Sequence, residues 1–105
     1  MDINALIAET KARFSHNSAK EYLREKYDSK LILATQGGLW KASPEVISFL
    51  NSLSTKNCIL LDNFKNPIEI DRVSLLNELS NLYQTVMQEW YAEWQELEGK
   101  RWLRV

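Results

Sequence analysis

A chain of 105 residues with 45% hydrophobic and 26% charged positions has the composition of one soluble globular domain spanning residues 1–105. Its net charge of −1 lacks the basic excess with which a domain grips nucleic-acid phosphates unaided. The single cysteine, Cys58, excludes an intramolecular disulfide and a multi-cysteine metal site and suits a reducing compartment.

No segment is apolar enough to span a bilayer, and Met1-Asp2-Ile3-Asn4-Ala5-Leu6 lacks the basic and apolar runs of a secretion signal. The expected setting is therefore cytoplasmic, with no membrane partner. Residues 1–56 hold eight Lys/Arg against six Asp/Glu, and residues 57–105 hold five against eight. So small a split fits complementary packing of the two halves, or of subunits.

Residues 3 to 28 carry helical periodicity in two stripes: Ile3, Leu6, Ile7 and Phe14, then Ala19, Tyr22, Leu23 and Tyr27. The stripes do not line up. Ser15-His16-Asn17-Ser18 separates them, and Ser18 with Glu21 has the spacing of a capping box. This pattern predicts a kink or restart, with N-terminal helices near 3–14 and 18–28.

Lys30 to Thr35 reads as a strand, Gln36-Gly37-Gly38 as a turn and Leu39 to Ala42 as the returning strand, because paired glycines supply positive φ in tight hairpins. Ser43-Pro44-Glu45 then opens a short middle helix: serine caps free amides, proline at the first helical position loses no bond, and glutamate suits the positive end. Val46, Ile47, Phe49, Leu50 and Leu53 are expected to face inward, with a stop around Ser54.

Cys58-Ile59-Leu60-Leu61 is uniformly apolar and reads as a strand through the centre of a sheet. Asp62 to Pro67 supplies a turn, and Ile68-Glu69-Ile70 alternates as a half-exposed strand does. Asp71 fits the N-cap of a long C-terminal helix reaching about Glu98, with a stripe at Leu76, Leu79, Tyr83, Val86, Trp90, Trp94 and Leu97 and a stop at Gly99. The order α-α-β-β-α-β-β-α defines an α+β fold of two β-hairpins and their helices.

Few residues suggest chemistry. His16 is the only histidine and Cys58 the only thiol, and their spacing supports no thiol–imidazole pair. Glu89, Glu93 and Glu96 share one flank of the last helix and Glu78 begins the same polar face, which reads as solvated and lacks a third metal ligand. Gln36-Gly37-Gly38 lacks the Lys-Ser/Thr of a phosphate loop. No cofactor, metal site or enzymatic activity is expected.

The phrases Ala12-Arg13-Phe14-Ser15-His16-Asn17, Gln36-Gly37-Gly38-Leu39-Trp40, Leu60-Leu61-Asp62-Asn63 with Asn66-Pro67, and Trp90-Tyr91 resemble those of short uncharacterised proteins of contractile-tailed marine phages. The resemblance implies a phage setting, in the host cytoplasm or the virion, and carries no activity or site residue.

The remaining signal is the length of the C-terminal helix. At ~1.5 Å per residue it spans ~40 Å, more than a domain of this size covers, so part of its apolar stripe is expected to meet a protein partner. Trp90, Tyr91 and Trp94, with Trp102 beyond them, are the candidate interface residues, and a homodimer is the simplest such arrangement. The expected function is protein–protein interaction in assembly or structure. The alternative is a single-stranded nucleic-acid accessory protein using the basic aromatic tail Lys100-Arg101-Trp102-Leu103-Arg104-Val105.

Overall fold

A computed structural model describes residues 2–103, with side chains throughout except at 12–14 and 100–103. The element order is α1 (Ile3–Lys30), β1 (Ile32–Thr35), β2 (Gly38–Lys41), α2 (Pro44–Ser52), β3 (Asn57–Leu61), β4 (Pro67–Asp71) and α3 (Arg72–Leu103). The fold is α+β, with two separate antiparallel hairpins, β1–β2 and β3–β4.

The N-terminal segment is one helix of 28 residues and not two. Residues 15–18 include neither proline nor glycine, so nothing in them forbids helix, and a tertiary partner outweighs their weak propensity. Asp2 caps the helix by accepting from Asn4 N–H at 3.0 Å. α3 likewise passes through Gly99 to Leu103, because glycine mid-helix is only about 1 kcal/mol worse than alanine.

The first hairpin turns at Gln36 and Gly37, with φ of 50° and 78°, the pair of positive values that a two-residue turn needs to match strand twist. Gly38 is already strand and is required for a different reason. A Cβ there would stand 2.7 Å from Trp40 Cζ2 and 2.8 Å from Ile68 Cδ1.

α2 starts at Pro44 with Ser43 Oγ accepting from Val46 N–H at 3.3 Å. Its inward face is Val46, Ile47 and the fully buried Leu50, while Phe49 is exposed, contrary to expectation. β3 also departs from expectation. In a two-stranded sheet there is no central strand, so only Cys58 and Leu60 pack inward, and Ile59 and Leu61 are 71% and 56% exposed.

One core joins these parts: Leu23, Tyr27 and Leu31 from the α1 end, Trp40 and Ala42, Leu50, Ile70, and Leu75, Leu79 and Val86 from α3. Burying each such leucine contributes roughly 1.5–3 kcal/mol, which makes this head the stable part of the molecule. α3 passes through it and runs on, antiparallel to α1, as a two-helix stalk. The molecule measures 65 × 23 × 20 Å.

Candidate interaction surface

The stalk begins where Tyr27, 2% exposed, stacks on Trp90 with ring centroids 5.9 Å apart and planes 10° from parallel. Trp90 thereby joins the intramolecular packing between α1 and α3. Around this stack the basic edge of α1 meets the acidic edge of α3. Lys26 Nζ donates to Glu93 Oε1 at 2.7 Å, Tyr27 Oη donates to the same oxygen, and Lys30 Nζ lies 3.5 Å from Glu89 Oε2.

These contacts shift the groups that make them. The hydrogen bond from Lys26, then that from Tyr27, hold the Glu93 carboxyl below its ordinary value of 4.5. The same bonds raise Lys26 and Tyr27 above 10.5 and 10.0. The glutamates expected to be a solvated face thus divide: Glu89 and Glu93 hold α1, and Glu96 is exposed.

Beyond Trp90, Leu97 still packs against the core while the side chains of Tyr91 and Trp94 turn to solvent. Tyr91 and Trp94 are 59% and 39% exposed and stack on each other, with centroids 6.0 Å apart. The Trp102 side chain lies outside the described residues, as does that of Phe14. His16 sits on the α1 face toward α3, and its buried Nε2 lies 3.4 Å from Glu98 Oε1 without a hydrogen bond to any described residue. Cys58 is half-buried on β3 against the head core, and no hydrogen bond joins these two residues.

α1 outruns α3. From the Lys30–Glu89 contact, α1 continues ~40 Å to Ile3, whereas α3 continues ~21 Å to Leu103, at ~1.5 Å per residue. The first turns of α1 therefore project past the last described turn of its neighbour. Because α1 is unbroken, the two sequence stripes face different ways: at ~100° per residue, Ile3 and Ile7 lie ~160° around the axis from Leu23, and Leu6 lies ~100° from it. Ile3, Leu6 and Ile7 are 72%, 46% and 47% exposed. A continuous helix aims this apolar face away from α3.

The head holds an open cleft of about 490 Å³ lined by Ala34, Thr35, Gly37, Gly38, Leu39, Asp62, Phe64 and Asn66. Its one charged residue is Asp62, 6% exposed, whose carboxylate accepts from the backbone amides of Leu39 at 3.4 Å, Phe64 at 2.9 Å and Asn66 at 3.0 Å. The Asn66 amide, followed by those of Leu39 and Phe64, keeps this acid below its ordinary 3.8. Asp62 thus ties β2 to the β3–β4 turn, a role hidden in the sequence because a turn aspartate does not reveal a second hairpin as its partner.

Gln36 makes a second tie, donating to Asp71 C=O at 3.3 Å and accepting from Asp71 N–H at 2.6 Å. Among the described residues, no group of three or more His, Cys, Asp or Glu is placed to hold a metal ion, and no helix is long and apolar enough to cross a membrane. Comparison with family models, with curated proteins and with solved structures finds no match.

Proposed function

We propose that the protein works by protein–protein contact, as an assembly or structural component, and that it self-associates through the stalk. The observation that carries this reading is the exposed Tyr91–Trp94 stack, which borders the Trp90 packed on Tyr27 and is itself turned to solvent. Large aromatics held on a rigid helix contribute binding energy with little ordering cost, and a contiguous apolar surface on a small domain marks a contact site. The exposed face of Ile3, Leu6 and Ile7 extends the same stalk and adds to the surface a partner covers. A phage setting agrees with such a role and adds no partner by name.

A two-fold arrangement brings the stalk stripes of two copies together, so that Trp94 or Tyr91 covers its counterpart. Light scattering coupled to size exclusion is expected to report a mass above that of the monomer. Trp94→Glu is expected to lower it without unfolding the chain, since an exposed site tolerates a charge once the partner leaves. A monomeric parent would overturn the reading, and an unfolded Trp94→Glu chain would place that side chain in the core.

A further inference from the structure

The solvent side of α3 is segregated by charge. From Val73 to Gly99 the helix carries no Lys or Arg, and its exposed acids, Glu78, Glu89 and Glu96, fall within ~20° of one line at ~100° per residue. A second line, Asn77, Asn81, Gln84, Gln88, Tyr91 and Gln95, is exposed throughout and holds no charge. Steps of four and three residues keep it straight along the helix for ~27 Å. It lies ~110° around the axis from the acids and ~180° from the inward Leu75, Leu79 and Val86.

Among the described residues, none of the carboxamides in this stripe is hydrogen-bonded within the chain. The outward side of α1 is built otherwise and mixes both signs, with Lys20, Glu21, Arg24, Glu25 and Asp28 all exposed. A solvated helix face carries charge, whereas the centre of an interface is depleted in charge and enriched in aromatics. The α3 stripe has the second composition, and Tyr91 joins it to the exposed aromatic stack with Trp94.

The chemistry of the stripe specifies what it can meet. In a parallel two-fold helix pair each side chain at the seam faces its own copy, so a carboxylate or an ammonium group there meets a like charge. A carboxamide is instead its own complement, because its C=O accepts what the facing NH2 donates. The seam needs no charge anywhere along it, and this stripe has none. The head lies on the opposite side of α3, so two copies can close on the stripe with their heads pointing apart.

We propose that the stripe's partner is a second copy, α3 lying parallel against α3 about a two-fold axis along the helices, each carboxamide facing its counterpart and Tyr91 facing Tyr91. This pairing rests on the self-association proposed for the stalk and gives it a direction and a register. Polar seam groups fix register at a cost in affinity. A strip ~27 Å long and ~10 Å wide also buries less than the ~1,200 Å² of a standard stable complex, so occupancy of the dimer follows concentration.

Light scattering coupled to size exclusion, over a concentration series of the full chain, tests the pairing. Gln88→Glu and Gln88→Lys, at an exposed site where circular dichroism reports an intact fold, are each expected to raise the dissociation constant by about tenfold or more, since like charges then face each other. An equimolar mixture of the two is expected to recover the parent's dimer. Glu96→Lys, off the stripe, is expected to leave it in place. A Gln88→Glu chain that dimerises as the parent does would overturn the pairing, as would a mixture that stays monomeric or a loss in Glu96→Lys as large as in Gln88→Glu. Dissociation by Trp94→Glu but not by Gln88→Glu would leave the stalk reading standing and remove this one, whereas a monomeric parent would overturn both.

Discussion

The head and the stalk are built from the same helices and are held by different forces. In the head, α3 sits beneath both hairpins and α2, and Leu50, Leu75, Leu79, Ile70 and Trp40 are sealed from water. Two polar ties, Asp62 to the β2 edge and Gln36 to Asp71, fix the hairpins against each other. In the stalk, among the described residues, an aromatic stack, a row of ion pairs and the half-buried Leu97 hold α1 and α3 together, while Tyr91, Trp94, Ile3, Leu6 and Ile7 face solvent. Half-exposed ion pairs contribute little to stability because solvent screens them. The head supplies the folding energy, and the stalk displays surface.

Substitutions on opposite sides of this divide should separate most widely in size. Leu79→Ala, at a fully buried head position, is expected to destabilise by about 3 kcal/mol in urea unfolding, while Leu6→Ala changes stability by less than about 0.5 kcal/mol. Equal losses at the two sites would mean that the stalk tip is packed within the monomer.

Within the head, the turn glycine Gly37 and the strand glycine Gly38 differ in kind. Gly38→Val forces side-chain atoms against Trp40 and Ile68 and is expected to cost about 2–3 kcal/mol. Gly37→Val meets open space and is strained only by its φ of +78°, roughly 1–2 kcal/mol. Thermal melts should rank the parent above Gly37→Val and Gly37→Val above Gly38→Val, and the reverse order would break the close approach inferred at Gly38.

The smallest expected effect is electrostatic. Glu93 and Asp62 titrate lower in the folded chain than unfolded, so the stability they add is present above their ordinary values and lost as pH falls through the folded ones. Lys26 and Tyr27 titrate higher when folded, so their contribution is complete below about 10 and lost as pH rises further. Glu93→Gln is expected to flatten both arms of a stability–pH profile while leaving an acid arm from Asp62, and added salt is expected to shrink the stalk part. Unchanged arms in Glu93→Gln would show that the α1–α3 ion pairs do not couple to folding.

Local chemistry made much of this protein legible from its residues. Ser43-Pro44-Glu45 started α2, Asp71 capped α3 by accepting from Ser74 N–H at 3.1 Å, and a glycine-bearing turn closed the first hairpin. Each depends on a few neighbouring residues, so no distant partner had to be known. The α+β class and a long C-terminal helix followed from periodicity in the same way.

Tertiary structure decided what those rules leave open. It kept α1 continuous through Ser15-His16-Asn17-Ser18, because contacts with α3 outweigh a weak local preference for a cap, and that continuity turns Ile3, Leu6 and Ile7 to the outside. It set Cys58-Ile59-Leu60-Leu61 at an edge, since an apolar run specifies burial without counting the strands available to provide it. It assigned Trp90 to Tyr27 and left Tyr91 and Trp94 to each other, because only the position of α1 fixes which side chains of a uniform helical stripe are covered.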